Sequence, residues 1–266
     1  MRAYYENKVA AITGAASGIG LAVTELLLEN GATAFMADIN GDTLRDQVAR
    51  LDKAFPNKAI GVQTDVTKRS QVKALIDQAA KFDGHLDFLF NNAGIGATLP
   101  FEQVTMEFWK RAIDINLWGV IYGIDAALPI MRRQQSGHII NTSSLAGYIP
   151  PPFQAVYSAT KYAVTGMTQC LRYEVWDEHV RFSTVCPGNV ATAIFAAAGA
   201  LPDDAVPVEE AARIILEGVA NNENLIIFPE ATKQYLQGLS PEEMEQFLIR
   251  MSRERHENYR TKGNYF

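Results

Sequence analysis

Short apolar runs alternate with longer amphipathic stretches along most of the chain. The apolar runs are rich in Val, Ile, Ala and Phe, as in strands that are buried on both faces of a sheet. The predicted strands are Val9–Thr13, Thr33–Ala37, Ala59–Gln63, Leu86–Phe90, His138–Thr142, Val180–Val185 and Leu225–Phe228. The predicted helices are Leu21–Asn30, Gly41–Phe55, Lys68–Phe82, Thr105–Gln134 with interruptions near Gly119 and Gly123, Tyr157–Trp176, Val208–Ala220 and Pro241–His256. This alternation predicts a parallel sheet covered on both faces, with a ligand crevice beyond the carboxyl ends of the strands.

The composition is that of an ordinary globular protein. Of its 266 residues, 48% are hydrophobic and 20% are charged, and a chain of this length can bury a substantial core. The net charge of -6 argues against a nucleic-acid partner, which would require a basic face. The N-terminus has no signal-peptide pattern, and glycine breaks its apolar run too early for a membrane span. We therefore expect a cytoplasmic protein with no membrane partner.

The cysteines and histidines give no sign of a disulfide framework or a metal site. Two cysteines, Cys170 and Cys186, are too few for a secreted disulfide scaffold, and we expect both to be core thiols in a reducing compartment. The four histidines are scattered without the spacing of metal ligands, so no metal is expected.

The turn after the first predicted strand is rich in glycine. It runs through Gly14, Ser17, Gly18, Ile19 and Gly20 and opens the next helix. Glycine permits positive φ and close backbone approach, and a helix N-terminus offers unpaired N–H groups to a pyrophosphate. Many strand-to-helix turns use glycine for steric reasons alone, so this segment by itself leaves phosphate binding and a plain turn equally open.

Acidic residues follow the next two strands. Asp38 lies near the distance of roughly 20 residues at which a carboxylate meets the adenosine ribose in dinucleotide-binding folds. A carboxylate there accepts hydrogen bonds from the ribose diol and repels a 2′-phosphate, which favours NAD over NADP unless Arg45 reaches round. A solvated aspartate is the alternative. Asp65, which is followed by Val66, is either an adenine contact or a helix cap.

Polar residues also occur beyond the fourth strand and within a helix. Asn91, Asn92, Ala93 and Gly94 fall at a strand end, where they either line the crevice or form a polar turn. Asn116 lies among apolar residues, and a buried asparagine must find hydrogen-bond partners. A kink in the helix and a polar relay through backbone and water explain it equally well.

The stretch Ser144–Lys161 carries three candidate catalytic side chains. Tyr157 and Lys161 stand at positions i and i+4, which places them on one helix face. A phenol with a pKa of about 10 carries protons poorly at pH 7, and an adjacent ammonium lowers that pKa by favouring the phenolate. A hydroxyl donor such as Ser144 would hold the oxygen that gains or loses the proton. The stretch predicts a proton-handling cluster.

Together these segments resemble the short-chain dehydrogenase/reductase family over nearly the whole chain, from about Lys8 to Phe228. Four motifs of the family are present. They are Thr-Gly-x-x-x-Gly-x-Gly at Thr13–Gly20, Asn-Asn-Ala-Gly at Asn91–Gly94, Tyr-x-x-x-Lys at Tyr157–Lys161 and Pro-Gly-x-Val-x-Thr at Pro187–Thr192. Ser144 stands at the family's usual spacing before Tyr157, and Asn116 matches its helix asparagine. Each motif is modest alone, and the resemblance rests on their order and spacing.

The resemblance implies one doubly wound Rossmann-like α/β domain over residues 1–266, with a parallel seven-stranded sheet and NAD(P) at its switch point. In this family Tyr157 would be the general acid/base and Lys161 would lower its pKa and hold the nicotinamide ribose. Ser144 would bond the substrate oxygen, and Asn116 would anchor a water. The implied cofactor contacts are Gly14, Ser17, Gly18, Ile19, Gly20, Asp38, Asp65, Val66, Asn92, Ala93, Gly94, Tyr157, Lys161, Pro187, Gly188, Val190 and Thr192. Family members are commonly homotetramers, so we expect a tetramer or a dimer.

The substrate pocket is predicted to be apolar, because its expected lining carries no Lys or Arg to pair a carboxylate or phosphate. The expected lining residues are Ile95, Leu99, Leu145, Tyr148, Phe153, Ile194 and Phe195. We expect a predominantly apolar secondary alcohol or ketone, steroid-like or medium-chain. Pro150–Phe153 is interpreted as a stiff wall of the pocket, and residues 189–207 as a substrate loop. The C-terminal helical extension, residues 230–266, has no predicted role.

Three other functions are weighed against this one. The first is an NADPH-dependent reductase of 3-ketoacyl-type ketones, which activity with both cofactors would distinguish. The second is a non-enzymatic dinucleotide sensor or scaffold on the same fold, disfavoured because Tyr157 and Lys161 are both present. The third is a sugar-nucleotide epimerase, disfavoured by the glycine spacing and by the short region after Gly188.

Overall fold

A computed structural model describes residues 1–194, 201–202 and 204–265. Within them, a seven-stranded parallel sheet has the order β3-β2-β1-β4-β5-β6-β7. The strands are β1 (Val9–Thr13), β2 (Thr33–Asp38), β3 (Ala59–Gln63), β4 (Phe88–Asn91), β5 (Gly137–Thr142), β6 (Val180–Pro187) and β7 (Leu225–Phe228). The chain order reverses between β1 and β4, so the switch point lies at their carboxyl ends. The predicted fold class is confirmed.

The connections between the strands are mainly helical. The helices are α1 (Arg2–Tyr5), α2 (Gly18–Glu29), α3 (Gly41–Ala54), α4 (Arg69–Phe82), α5 (Met106–Ile113), α6 (Gly119–Gln134), α7 (Ala155–Glu174), α8 (Val208–Ala220), α9 (Glu230–Gly238) and α10 (Pro241–Lys262). The short α1 and α9 were not predicted, and α10 runs one and a half turns beyond its predicted end at His256.

Two apolar clusters cover the two faces of the sheet. Every residue of β1 is buried, and successive residues alternate between the clusters. Ala10 and Ile12 belong to the cluster that includes α2 and α8, while Val9 and Ala11 belong to the one that includes α4 and α6. A strand buried on both faces is apolar throughout, which is why the sequence shows runs rather than strict alternation.

The long helical stretch is interrupted near Gly119, as predicted, but not near Gly123. The interruption is a π-helical turn at Asp114–Trp118, directly before Gly119, and Gly123 lies inside the regular helix α6. A π turn inserts one extra residue into the helix and occurs often at functional sites. Here it contains Asn116, which is fully buried.

Cys186 is a buried thiol as predicted, but Cys170 is exposed on α7, so the prediction of a second core thiol is wrong. Position 170 falls on the outward face of that helix, which a short stretch of sequence does not specify. Among the described residues, no group of three or more His, Cys, Asp or Glu side chains is placed to hold a metal ion.

One helical stretch, Met106–Gln134, is long and apolar enough to cross a membrane by length and composition, with a mean hydropathy of 1.3. A single such stretch is weak evidence, because apolar core helices of globular proteins satisfy the same criteria. Only 33% of its most apolar window is buried in this chain, so the stretch presents apolar surface outward.

Candidate active site

The glycine turn after β1 packs directly on the loop after β4. Gly14 has φ +66, in the left-handed region that favours glycine. A Cβ atom on Gly14 would lie 3.0 Å from Cα of Ala93, and one on Gly20 would lie 2.1 Å from the carbonyl oxygen of Gly14. Side chains at these positions would therefore collide with backbone. The close approach is a property of this structure and explains the glycine pattern without reference to a ligand.

Hydrogen bonds hold the two loops together. The Thr13 hydroxyl accepts from the backbone N–H groups of Asn92 and Ala93 at 3.0 and 3.1 Å. The Asn92 side-chain amide donates to the carbonyl of Thr13 at 3.1 Å. The Asn92–Ala93 segment is thus a rigid neighbour of the glycine turn, and the sequence motif alone did not reveal the part played by Thr13.

The N-terminus of α2 is suited to an anion. Ser17 is the N-cap residue in an extended conformation, and its side chain makes no capping hydrogen bond. The first N–H groups of a helix have no intrahelical acceptor and lie at the positive end of the helix dipole. Gly18 and Ile19 begin this helix, so their N–H groups are positioned to bind a phosphate.

The carboxylate of Asp38 lies beside the glycine turn. Its two oxygens accept hydrogen bonds from the N–H groups of Ala16 at 3.1 Å and Asn40 at 3.0 Å. These bonds fix a half-buried carboxylate at the carboxyl end of β2. Arg45 instead pairs with Asp42, and its side chain is 71% exposed. The cation that would favour a 2′-phosphate is therefore engaged with another carboxylate.

Asp65 and Val66, in the segment after β3, contact neighbouring parts of the chain. The Asp65 carboxylate accepts from the N–H and the hydroxyl of Thr67, at 2.9 and 2.8 Å, and so stabilises the turn before α4. The N-cap residue of α4 is Lys68, and no side chain caps that helix, so the interpretation of Asp65 as a helix cap is wrong. Val66 packs against α6, since a Cβ atom on Gly119 would lie 3.0 Å from Cβ of Val66. The contacts of Asp65 and Val66 with an adenine stay a prediction.

Asn116 joins the loop after β4 to the helix α7. Its side-chain oxygen accepts from Ile95 N at 2.8 Å, and its amide donates to Ile95 O at 2.9 Å and to the Thr160 hydroxyl at 3.2 Å. The π turn directs this carboxamide inward, so the kink and the polar contacts occur together. The water that Asn116 would anchor stays a prediction.

Lys161 is buried at the centre of the predicted site. The residue is 3% exposed, and its ammonium donates to the carbonyl of Thr142 at 2.8 Å. The Lys161 Nζ atom lies 5.5 Å from the centroid of the Tyr157 ring, and 3.6 Å from where a Cβ atom on Gly94 would lie. Burial lowers the pKa of Lys161 to about 8, so the group is mainly cationic at pH 7.

Tyr157 and Ser144 interact, but the pKa of Tyr157 moves against expectation. Burial raises the pKa of the Tyr157 phenol, and the hydrogen bond with Ser144 opposes that rise. The prediction that the pKa of Tyr157 is lowered is therefore wrong. Desolvation disfavours the phenolate more strongly than the neighbouring groups favour it. Ser144 Oγ also accepts from Ala146 N at 3.1 Å, which fixes the hydroxyl at the end of β5.

The loop after β6 returns to the glycine turn. A Cβ atom on Gly18 would lie 3.1 Å from the methyl group of Thr192, so Thr192 lies at the N-terminus of α2. Pro187 ends β6, and a Cβ atom on Gly188 would lie 3.2 Å from the Leu145 side chain. The predicted cofactor residue Val190 forms a bridge with Val206.

The predicted pocket residues lie in the loops at the same end of the sheet. Five of them are half-buried: Ile95, Leu99, Leu145, Tyr148 and Phe153. Ile194 is 42% exposed and approaches Gly96, where an added Cβ atom would lie 2.9 Å from the isoleucine side chain. Phe195 lies outside the described residues. The Phe153 ring packs against Tyr265 and His256, and neither residue was predicted to lie here.

Comparisons with known proteins agree with this geometry. Residues 8–201 match the family model of the short chain dehydrogenases. An uncharacterised oxidoreductase of Staphylococcus saprophyticus is 41% identical over 190 residues, which cover 70% of this chain and 76% of that protein. One from Listeria innocua is 42% identical over 189 residues, with the same coverage of both chains.

Two solved structures share the fold. A short-chain dehydrogenase/reductase from Burkholderia phymatum in complex with NAD superposes with a TM-score of 0.79 at 29% identity, covering 99% of this chain and 98% of that one. A short-chain dehydrogenase from Sphingobium yanoikuyae in complex with NADPH has a TM-score of 0.78 at 25% identity, covering 88% and 97%. The chain belongs to the short-chain dehydrogenase/reductase family of oxidoreductases.

Proposed function

We propose that this protein oxidises a predominantly apolar secondary alcohol with NAD, or reduces the corresponding ketone with NADH, using Tyr157 as the general acid/base. The observation that carries the proposal is the buried Lys161 ammonium, 5.5 Å from the Tyr157 ring centroid and next to the loop that packs on the glycine turn. Burying a charge costs free energy, and buried charges of this kind occur often at functional sites. Stabilising the phenolate of a tyrosine that transfers protons is a function that explains why this charge is buried.

The residues of the chain suit a dinucleotide. The uncapped start of α2 offers N–H groups to the phosphates, and the fixed carboxylate of Asp38 offers two oxygens to a ribose diol. Lys161 is positioned to donate to the second ribose. When bound, NAD supplies the hydride acceptor for oxidation and NADH the hydride donor for reduction.

Proton transfer is assigned to Tyr157. In reduction, the phenol donates its proton to the carbonyl oxygen of the substrate while Ser144 holds that oxygen by a hydrogen bond. The raised pKa of Tyr157 keeps it protonated at neutral pH, ready for this direction. In oxidation the phenolate accepts the alcohol proton, and the nearby Lys161 cation stabilises that form.

The choice of NAD over NADP rests on charge. Asp38 places a negative group where a 2′-phosphate would lie, and Arg45 is paired with Asp42 on the exposed side of α3. The relative from Burkholderia phymatum holds NAD and the one from Sphingobium yanoikuyae holds NADPH, so the family accommodates both. The local charges of this chain favour NAD.

The experiment is a turnover screen of secondary alcohols and their ketones, each with NAD(H) and NADP(H). We expect turnover of apolar substrates with NAD(H), and loss of that turnover in Tyr157→Phe but not in Tyr162→Phe, a matched tyrosine that is 41% exposed on the same helix. Turnover of a sugar or an acyl-carrier thioester without turnover of apolar alcohols would contradict the proposal.

We also propose that the chain forms a homo-oligomer through the face formed by α5 and the π turn. This face carries a groove of about 600 Å³ lined mostly by large apolar side chains, with Met106 75% and Trp118 44% exposed. On soluble proteins, large exposed apolar patches mark sites that bind another protein chain. Sedimentation analysis of the protein and of Trp118→Glu tests this: we expect a dimer or tetramer that the charge dissociates, and a wild-type monomer would contradict it.

A further inference from the structure

The C-terminal segment packs on the loop that precedes the catalytic helix. Helix α10 ends at Lys262, and its C-cap residue Gly263 has φ +72. Two residues after Gly263, Tyr265 lies against that loop. Tyr265 is only 9% exposed. Its burial means that this residue has specific partners.

Those partners are aromatic. The Tyr265 ring stacks on Phe153 with 4.9 Å between ring centroids and on Tyr259 with 4.8 Å. His256, on α10, meets Phe153 edge-on at 4.8 Å. Stacked and edge-on pairs at such distances attract one another beyond their buried area. Two residues of the C-terminal segment thus hold the Phe153 side chain.

The backbone of the same loop is held as well. Phe153 has φ +63, in the left-handed region that a residue with a large side chain rarely adopts. Arg255 donates a hydrogen bond to the carbonyl of Pro152, and burial lowers the pKa of its guanidinium to about 10. A strained backbone conformation of this kind persists only where surrounding residues stabilise it, and α10 and Tyr265 provide part of that stabilisation.

The loop is connected in turn to both sides of the substrate region. The carbonyl of Phe153 accepts from Leu99 N at 2.8 Å, and the Gln154 side chain donates to the Thr98 hydroxyl at 2.9 Å. Helix α7 begins directly after Gln154 and carries Tyr157. A shift of Phe153 would therefore move the loop beyond β4 and the start of the catalytic helix together.

We propose that Tyr265 and Arg255 are positioning residues that hold the loop Pro150–Phe153 as the wall of the substrate pocket, and so set the affinity for substrate. The kinetic part rests on the proposed function. Tyr265 acts through Phe153, and Arg255 through the carbonyl of Pro152. Neither side chain is assigned a part in cofactor binding or in proton transfer.

The kinetic test compares three variants of the full-length protein. Tyr265→Ala removes the stacked ring and is expected to raise KM for the best apolar substrate by roughly three- to tenfold, with little change in kcat or cofactor affinity. Tyr265→Phe keeps the ring and should restore the wild-type KM. Tyr173→Ala, which removes a tyrosine that is 65% exposed, is the control and should also match the wild type.

Hydrogen exchange gives a second readout that needs no turnover. In Tyr265→Ala we expect exchange of the Leu99 amide, which donates to the Phe153 carbonyl, to accelerate by roughly three- to tenfold, and Tyr265→Phe to exchange like the wild type. A lower Tm of Tyr265→Ala with unchanged KM and unchanged exchange would show a merely structural contact and overturn the proposal. If the wild type oxidises no alcohol, the proposed function fails, while the exchange rates still decide whether the C-terminal segment holds the loop.

Discussion

The two sides of the crevice are built in different ways. On the cofactor side, Gly14, Asp38 and Asn92 are held by backbone turns and by neighbouring strands of the sheet. On the substrate side, Phe153 depends on stacking against Tyr265, and Pro152 on an arginine 103 residues further along the chain. If the proposed function holds, backbone geometry determines where the dinucleotide binds, and side chains distant in sequence shape the substrate pocket.

A substitution in the glycine turn should have the largest effect. In Gly20→Ala the new Cβ atom would meet the backbone oxygen of Gly14 at 2.1 Å, and backbone cannot move aside as a flexible side chain can. We expect destabilisation by about 1–3 kcal/mol. Loss of cofactor affinity by about 100-fold should follow from misplacement of the turn.

Thermal unfolding and cofactor titration measure both effects. Gly166→Ala is the matched control, because apart from its chain neighbours and the adjacent backbone of α7 no atom lies within 4 Å of its Cβ position. There the alanine should be neutral or stabilise the helix by about 0.5–1 kcal/mol. A wild-type cofactor affinity in Gly20→Ala would show that the turn does not bind the dinucleotide.

On the cofactor side, the preference for NAD over NADP should depend on the charge of residue 38. Asp38→Asn removes the negative group that opposes a 2′-phosphate, and we expect the ratio of kcat/KM for NADP to that for NAD to rise by roughly ten- to 100-fold. Asp46→Asn changes an exposed carboxylate on α3 and should leave the ratio unchanged. An unchanged ratio in Asp38→Asn would remove the basis for preferring NAD.

Acid should weaken the pairing of β5 and β6 through a buried histidine at the amino end of β5. His138, on β5, is 1% exposed and bonds to the Ser183 hydroxyl on β6 at 2.9 Å, and burial lowers its pKa to about 3. Below pH 6.5 the unfolded chain binds a proton that the folded chain does not, so stability falls as pH decreases toward 3. The loss attributable to His138 should reach about 2 kcal/mol at pH 5.

Urea unfolding at pH 7 and pH 5 measures this slope in the wild type and in His138→Gln. The variant should be less pH-dependent, even if it is less stable at pH 7. The same change at the exposed His256 should leave the slope as it is in the wild type. If the stability of His138→Gln falls between pH 7 and pH 5 as much as that of the wild type, groups other than His138 cause the loss of stability in acid.

The sequence predicted much of the fold because buried parallel strands are apolar throughout and the connections are short. Ser144, Tyr157 and Lys161 were recognised by their spacing and Asn116 by the family resemblance. The structure brings these residues to one end of the sheet. The net pKa direction of Tyr157 was not predictable, since it depends on how much of the ring the fold buries.

Contacts across long sequence separations escaped prediction. Nothing near Phe153 in sequence signals that Tyr265 stacks on it, and the charged helix α10 was interpreted without a role. The π turn was also missed, because its position is set by the hydrogen bonds of Asn116 to Ile95 rather than by a helix-breaking residue.

The central claim is that Tyr157 transfers the proton in an NAD-dependent reaction. The most direct measurement compares kcat and the dissociation constant of NADH for the wild type and Tyr157→Phe, with the best substrate found in the screen. We predict that kcat falls by about 10²- to 10⁴-fold while the dissociation constant changes by less than about twofold. A kcat close to that of the wild type, with NADH bound normally, would contradict the account.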